Sequence, residues 1–87
     1  MAYTVEFLRT AQRQLGLLPK DAQRQIARKI DTLREDPRPP TARPLQGGEG
    51  LYRLRVGDYR VIYSIEGKRL TVLVVRIGHR KDVYRDL

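Results

Sequence analysis

From Leu51 to Ile77 the sequence LYRLRVGDYRVIYSIEGKRLTVLVVRI is rich in β-branched and aromatic residues, with turn-forming breaks only at Gly57-Asp58 and Gly67-Lys68. Short glycine-containing breaks in such a run favour hairpin turns, so the spacing predicts an antiparallel meander of strands over about 51–56, 59–66 and 69–77. No other feature constrains the fold as strongly. Strands joined this tightly pair with their sequence neighbours, and a sheet this small needs a cover for one face. The third strand, LTVLVVRI, is almost continuously apolar, which predicts an interior position covered in part on both faces.

The cover is legible upstream. Residues 3–8 (YTVEFL) alternate and favour a first strand. Thr10 offers an N-cap for a helix carrying Ala11, Leu15 and Leu18, which Pro19 ends while starting the next. In that second helix Ala22, Ile26, Ile30 and Leu33 recur at steps of four, four and three, one apolar stripe. Asp21 in its first turn and Arg34 in its last complement the helix dipole. Residues 36–50, DPRPPTARPLQGGEG, hold four of the five prolines and three of the seven glycines, so this connector is expected to lack regular structure. The expected fold class is α+β: an N-terminal strand, a helical hairpin, then a three-stranded antiparallel meander, with the helices on one face. Residues 1–87 are expected to form a single domain.

Charge narrows the function. Lys and Arg number 18 against 10 Asp and Glu, a formal net charge of +8, and only Lys20, Lys29, Lys68 and Lys81 of the basic residues are lysines. A field of this sign attracts polyanions, and the planar guanidinium fork suits phosphate. The chain has no cysteine, so no disulfide framework, thiolate zinc site or thiol nucleophile is available. One histidine and scattered carboxylates do not make a metal-ligand set, and no cofactor is expected. No phosphate-cradling glycine loop occurs either, because QGGEG follows prolines and precedes a strand. The opening residues lack the apolar core of a signal peptide and no run reaches membrane-spanning length, so a cytoplasmic protein without membrane contact is expected.

Within the meander the charges fall on one side. Side chains alternate along a strand, so Arg53 and Arg55 share a face opposite Tyr52, Leu54 and Val56, and Arg60 falls with Ile62 and Ser64 rather than with Val61 and Tyr63. Like charges across a short hairpin cost stability unless an anion joins them. The face is therefore expected to be an anion site, with phosphate the natural ligand. The competing reading is a solvated face whose arginines pair with Glu66 or Asp58. The segment GHRKDVY then places His79, Arg80, Lys81 and Tyr84 where the chain leaves the sheet at Gly78.

These segments together, LYRLRVGDYRVIYSI and VLVVRIGHRKDVY after a helical hairpin and a proline-rich loop, resemble the RelE family of toxins from type II toxin–antitoxin systems. The resemblance covers nearly the whole chain. It implies a ribosome-dependent endoribonuclease that cuts mRNA in the decoding site and is restrained by a cognate antitoxin, so the expected partners are antitoxin, ribosome and mRNA. It also implies catalytic roles for Arg53, Arg55, Arg60, Arg80 and Tyr84, and RNA contact by the same arginines and Lys81. Some family members have lysines where Arg53 and Arg55 stand, and arginine cannot readily give up a proton. Histidine as a residue type has its ordinary pKa near neutrality, so His79 is a further candidate for proton transfer. Two other readings stand beside this one: a ParE-type toxin that poisons gyrase, and a non-catalytic module that binds RNA or antitoxin.

Overall fold

The apolar stripe and the alternating strands meet as their spacing requires. The computed structural model describes residues 2–48 and 50–85. Its elements are β1 (Thr4–Phe7), α1 (Arg9–Gly16), α2 (Lys20–Thr32), β2 (Ala42–Pro44), β3 (Leu51–Val56), β4 (Tyr59–Glu66) and β5 (Thr71–His79). The strands form one five-stranded sheet in the order β1-β5-β4-β3-β2. β1 runs parallel to β5, and all other pairings are antiparallel. β5 is thus interior, as its apolar run requires.

One core joins the helices to the sheet. Ala11, Ile26, Ile30 and Leu33 pack with Leu54, Val61, Tyr63, Val72, Val74 and Ile77, all at most 3% exposed. Burying aliphatic side chains of this size removes roughly 1.5–3 kcal/mol of unfavourable hydration each, before entropy is counted. The turn between the helices is closed by one side chain. Gln23 Nε2 donates to Leu18 O at 2.8 Å and Gly16 O at 3.3 Å, satisfying carbonyls the end of α1 leaves open.

Several boundaries differ from the sequence expectation. Thr10 is not a cap: α1 begins at Arg9, because Leu8 ends β1 by donating to Val74 O and already accepts from Gln12 N. Pro19 is the N-cap of α2 rather than its first residue. Arg34 lies past the end of α2, and its Nε pairs with Asp31 at 2.8 Å. The turn at Gly67-Lys68 takes four residues and β5 starts at Thr71, since Leu70 adopts φ 49° and its carbonyl accepts from Thr4 N. Gly78 does not release the chain. β5 runs on through His79 because Arg60 and Tyr59 still pair with Gly78 and His79.

The largest correction is β2. The connector does hold regular structure, since Ala42, Arg43 and Pro44 pair with Leu54, Arg53 and Tyr52. Pro44 lacks a backbone N–H, which an edge strand tolerates. The loop before β2 is fastened from below: the Tyr63 hydroxyl donates to Pro37 O at 2.6 Å, Tyr52 stacks on Tyr63 at 5.6 Å, and Arg38 lies over Tyr52 while donating to its hydroxyl at 3.0 Å.

Candidate functional site

Register fixes which side chains share the face away from the helices, because residues directly opposite across an antiparallel pair point the same way. Arg43, Arg53, Ile62 and Arg76 form one such row across β2, β3, β4 and β5. Arg55, Arg60 and Gly78 form the next, beside the Gly57-Asp58 turn. Gly57 takes φ 57°, the left-handed value a two-residue hairpin loop demands and glycine meets without strain. The turn thereby brings two arginines into direct opposition one step from its end.

Arg43, Arg53, Arg55 and Arg60, with Pro40 and Thr41, line a concavity of about 290 Å³. Among the described residues no carboxylate lies within salt-bridge distance of any of the four. Neither Glu66 nor Asp58 neutralises them, so the face is not a set of solvated ion pairs. Two arginines are held by backbone carbonyls instead. Arg60 donates to Gly57 O at 3.0 Å and Tyr59 O at 2.8 Å, and Arg43 to Pro40 O at 3.0 Å and Ala42 O at 3.3 Å. These contacts orient the guanidinium groups and leave other N–H donors free.

The segment after β5 turns back across this face. Val83 is 2% exposed and sits where a Cβ at Gly78 would meet it at 3.5 Å. Arg76 donates to Val83 O at 3.1 Å and also to Arg85 O. The returning chain passes the row that holds Arg76 and the fully buried Ile62. It also carries Tyr84, which is half-buried with its hydroxyl shielded from solvent and unpartnered among the described residues.

The sequence candidates separate accordingly. Arg53, Arg55 and Arg60 come together in the concavity. Arg80 lies at the same end of the hairpin, where its backbone N donates to Asp58 O at 2.8 Å and its side chain faces the Asp58 carboxylate at 3.7 Å. Tyr84 follows Val83 on the tail and does not line the concavity. Lys81 is exposed in the turn beyond β5. His79 does not join them. It pairs with Tyr59 on the helix face, edge-on to that ring at 5.9 Å, and its Nδ1 accepts from Lys81 N at 3.2 Å. Alternation beyond Gly78 sends the imidazole to the wrong side of the sheet for proton transfer in the arginine cluster. Arg43 was missed. It stands between prolines in an unpatterned segment, and only its pairing with Arg53 shows where it goes.

Such a site can bind phosphate through several forked donors and hold charge that builds on phosphoryl oxygens. Among the described residues no three acidic or histidine side chains gather as metal ligands, and no helix is long and apolar enough to cross a membrane.

A two-helix layer on one face of a mixed five-stranded sheet, with an arginine-lined concavity on the other, is the RelE-like α+β fold. The solved RelE–RelB complex of Pyrococcus horikoshii matches it with a TM-score of 0.81 at 32% identity, over 95% of this chain and 100% of that one. The RelBE2 toxin–antitoxin complex of Mycobacterium tuberculosis matches with a TM-score of 0.80 at 32% identity, over 92% of this chain and 100% of that one. The family described as ParE toxin of type II toxin-antitoxin system, parDE, matches residues 5–84. Toxin RelG of Mycobacterium tuberculosis is 37% identical, over 98% of this chain and 99% of its own. The chain belongs to the RelE family of toxins, within the RelE/ParE superfamily of type II toxin–antitoxin systems.

Proposed function

We propose that this toxin is an endoribonuclease that cleaves mRNA in the decoding site of the ribosome, with arginines rather than a metal ion stabilising the transition state. The observation that carries the reading is the concavity itself, where Arg55 opposes Arg60, Arg43 opposes Arg53, and no described carboxylate neutralises them. A site with that charge and those donors is built for phosphate.

The reaction begins when a 2′-hydroxyl attacks the adjacent phosphorus. An O–P bond forms, negative charge builds on the phosphorane oxygens, and the bond to the 5′-oxygen breaks. The products are a 2′,3′-cyclic phosphate and a 5′-hydroxyl, so the proton lost by the 2′-hydroxyl is balanced by one gained at the leaving oxygen. Arg55 and Arg60 hold the phosphorane charge from the sheet, and Arg80 approaches from the tip of the same hairpin. Tyr84, on the tail, orients the attacking hydroxyl or stacks on a base. Arginine is a poor proton acceptor, which leaves the protein a weak nuclease alone and makes positioning of the message by the ribosome a necessary part of the acceleration.

The cognate antitoxin is the second partner. The relatives of known structure named above are bound to theirs, and a +8 chain calls for an acidic or amphipathic segment that folds over the sheet and helices.

The matched family carries the ParE name, which favours a second reading, poisoning of gyrase. Mapping mRNA 5′ ends after induction in cells separates the two. Cuts at defined places within codons are expected. DNA breaks without such cuts mark a gyrase poison, and RNA binding with neither marks a non-catalytic module.

A further inference from the structure

The arginine face is wider than one scissile phosphate requires. Neighbouring strands lie about 4.8 Å apart, which puts β2 and β4 roughly 10 Å from each other. Arg55, Arg60 and Arg80 cluster around the Gly57-Asp58 end and can converge on one phosphate. Arg43 lies one row farther along and two strands across from Arg60, on the edge strand, with no further strand beyond it among the described residues. A concavity of about 290 Å³ offers more room than the five heavy atoms of one phosphate fill.

Arg43 is also oriented for use. Its Nη1 is fixed by Pro40 O and Ala42 O, while the rest of its fork is exposed beside Arg53, with no acidic partner among the described residues. Two guanidinium groups opposed across β2 and β3 repel unless an anion lies between them. We propose that Arg43 and Arg53 form a second phosphate subsite, which grips the RNA backbone one nucleotide from the scissile bond and leads it off the sheet over the β2 edge. This rests on the nuclease reading for which phosphate is called scissile, but the subsite is a property of RNA binding and is testable without cleavage.

The probe is a short single-stranded RNA with 2′-deoxy nucleotides, which cannot react, titrated with folded protein over a range of salt. Each phosphate neutralised on a single strand contributes a slope of about −0.7 to the dependence of log affinity on log salt. Arg43→Ala should make the slope shallower by about that amount, so that the wild-type advantage shrinks about fivefold for each tenfold rise in salt. Arg43→Lys should keep the slope. A methylphosphonate at one single backbone position should erase the difference between wild type and Arg43→Ala. An unchanged slope in well-folded Arg43→Ala protein, losses that add at every methylphosphonate position, or no RNA binding by the wild type overturns the proposal. The nuclease reading fails separately, in a wild type that binds this probe with the expected Arg43 effect yet leaves messages uncut on the ribosome.

Discussion

The two faces of the β3–β4 hairpin share one backbone and carry opposite chemistry. On the helix side Leu54 opposes Val61, both fully buried; on the other Arg55 opposes Arg60 beside the turn, and Arg55 is exposed. Because side chains alternate, a slip of one residue in either strand would push arginines into the core and leucine and valine into water. The apolar face therefore sets the register, and that register places the arginines against one another. Stability is concentrated on one side and positive charge on the other, with a single layer of backbone between them.

Removing a core contact should have the largest effect. Leu54→Ala deletes a fully buried side chain and is expected to cost about 2–5 kcal/mol, read as a lower urea midpoint, while the molecules that remain folded keep their activity. Arg60→Ala should do the reverse. Loss of a charge-stabilising donor raises the barrier by about 2.7–4 kcal/mol, or 10²–10³ in rate, and growth inhibition should disappear while the unfolding free energy changes by less than about 1 kcal/mol. Arg80→Ala should behave alike. If soluble, folded Arg60→Ala protein stays fully toxic, the division between the faces is wrong.

Tyr63 tests the helix side through pH. Burial, with Tyr52 adding to it, pushes its hydroxyl up to about 12. An unfolded tyrosine titrates near 10, so the neutral hydroxyl is favoured by folding, and its contribution is complete below pH 10 and is lost as pH rises through about 12. A shift of this size is worth about 2–3 kcal/mol across that window. Tyr63→Phe should lose about 1 kcal/mol at neutral pH with the bond to Pro37 O, and should then overtake the wild type as the pH approaches 12. Parallel stability curves for the two proteins would remove Tyr63 from the account. The smallest effect belongs to Arg55→Gln, which relieves the opposition to Arg60. It should raise stability by about 0.2–1 kcal/mol at low salt, with the gain fading as salt screens the pair.

Periodic features were legible in the sequence, and features set by pairing were not. The stripe of Ala22, Ile26, Ile30 and Leu33 and the alternation across Gly57-Asp58 declare their faces without reference to anything distant, and Arg53, Arg55 and Arg60 follow from them. β2 has three residues and a proline, too few to show a period, and exists only because Ala42 finds Leu54 and Arg43 finds Arg53. Arg43 was invisible for that reason. His79 was misplaced because a glycine before it reads as a strand end, whereas Tyr59 and Arg60 across the ladder carry β5 past it.

β5 is the last of the described strands in sequence, yet it is the one to which β1 and β4 both pair, Thr4 meeting Thr71 across a long span of sequence. Closing so long a loop before any of its contacts form makes folding slow relative to the helical hairpin, which is local. It also orders events during synthesis. Until the codons for residues 71–79 have been translated and their product has cleared the exit tunnel, neither the sheet nor the backing for its arginines exists. A nascent chain that stops short of β5 therefore carries its arginines without the completed sheet that would hold them on one face.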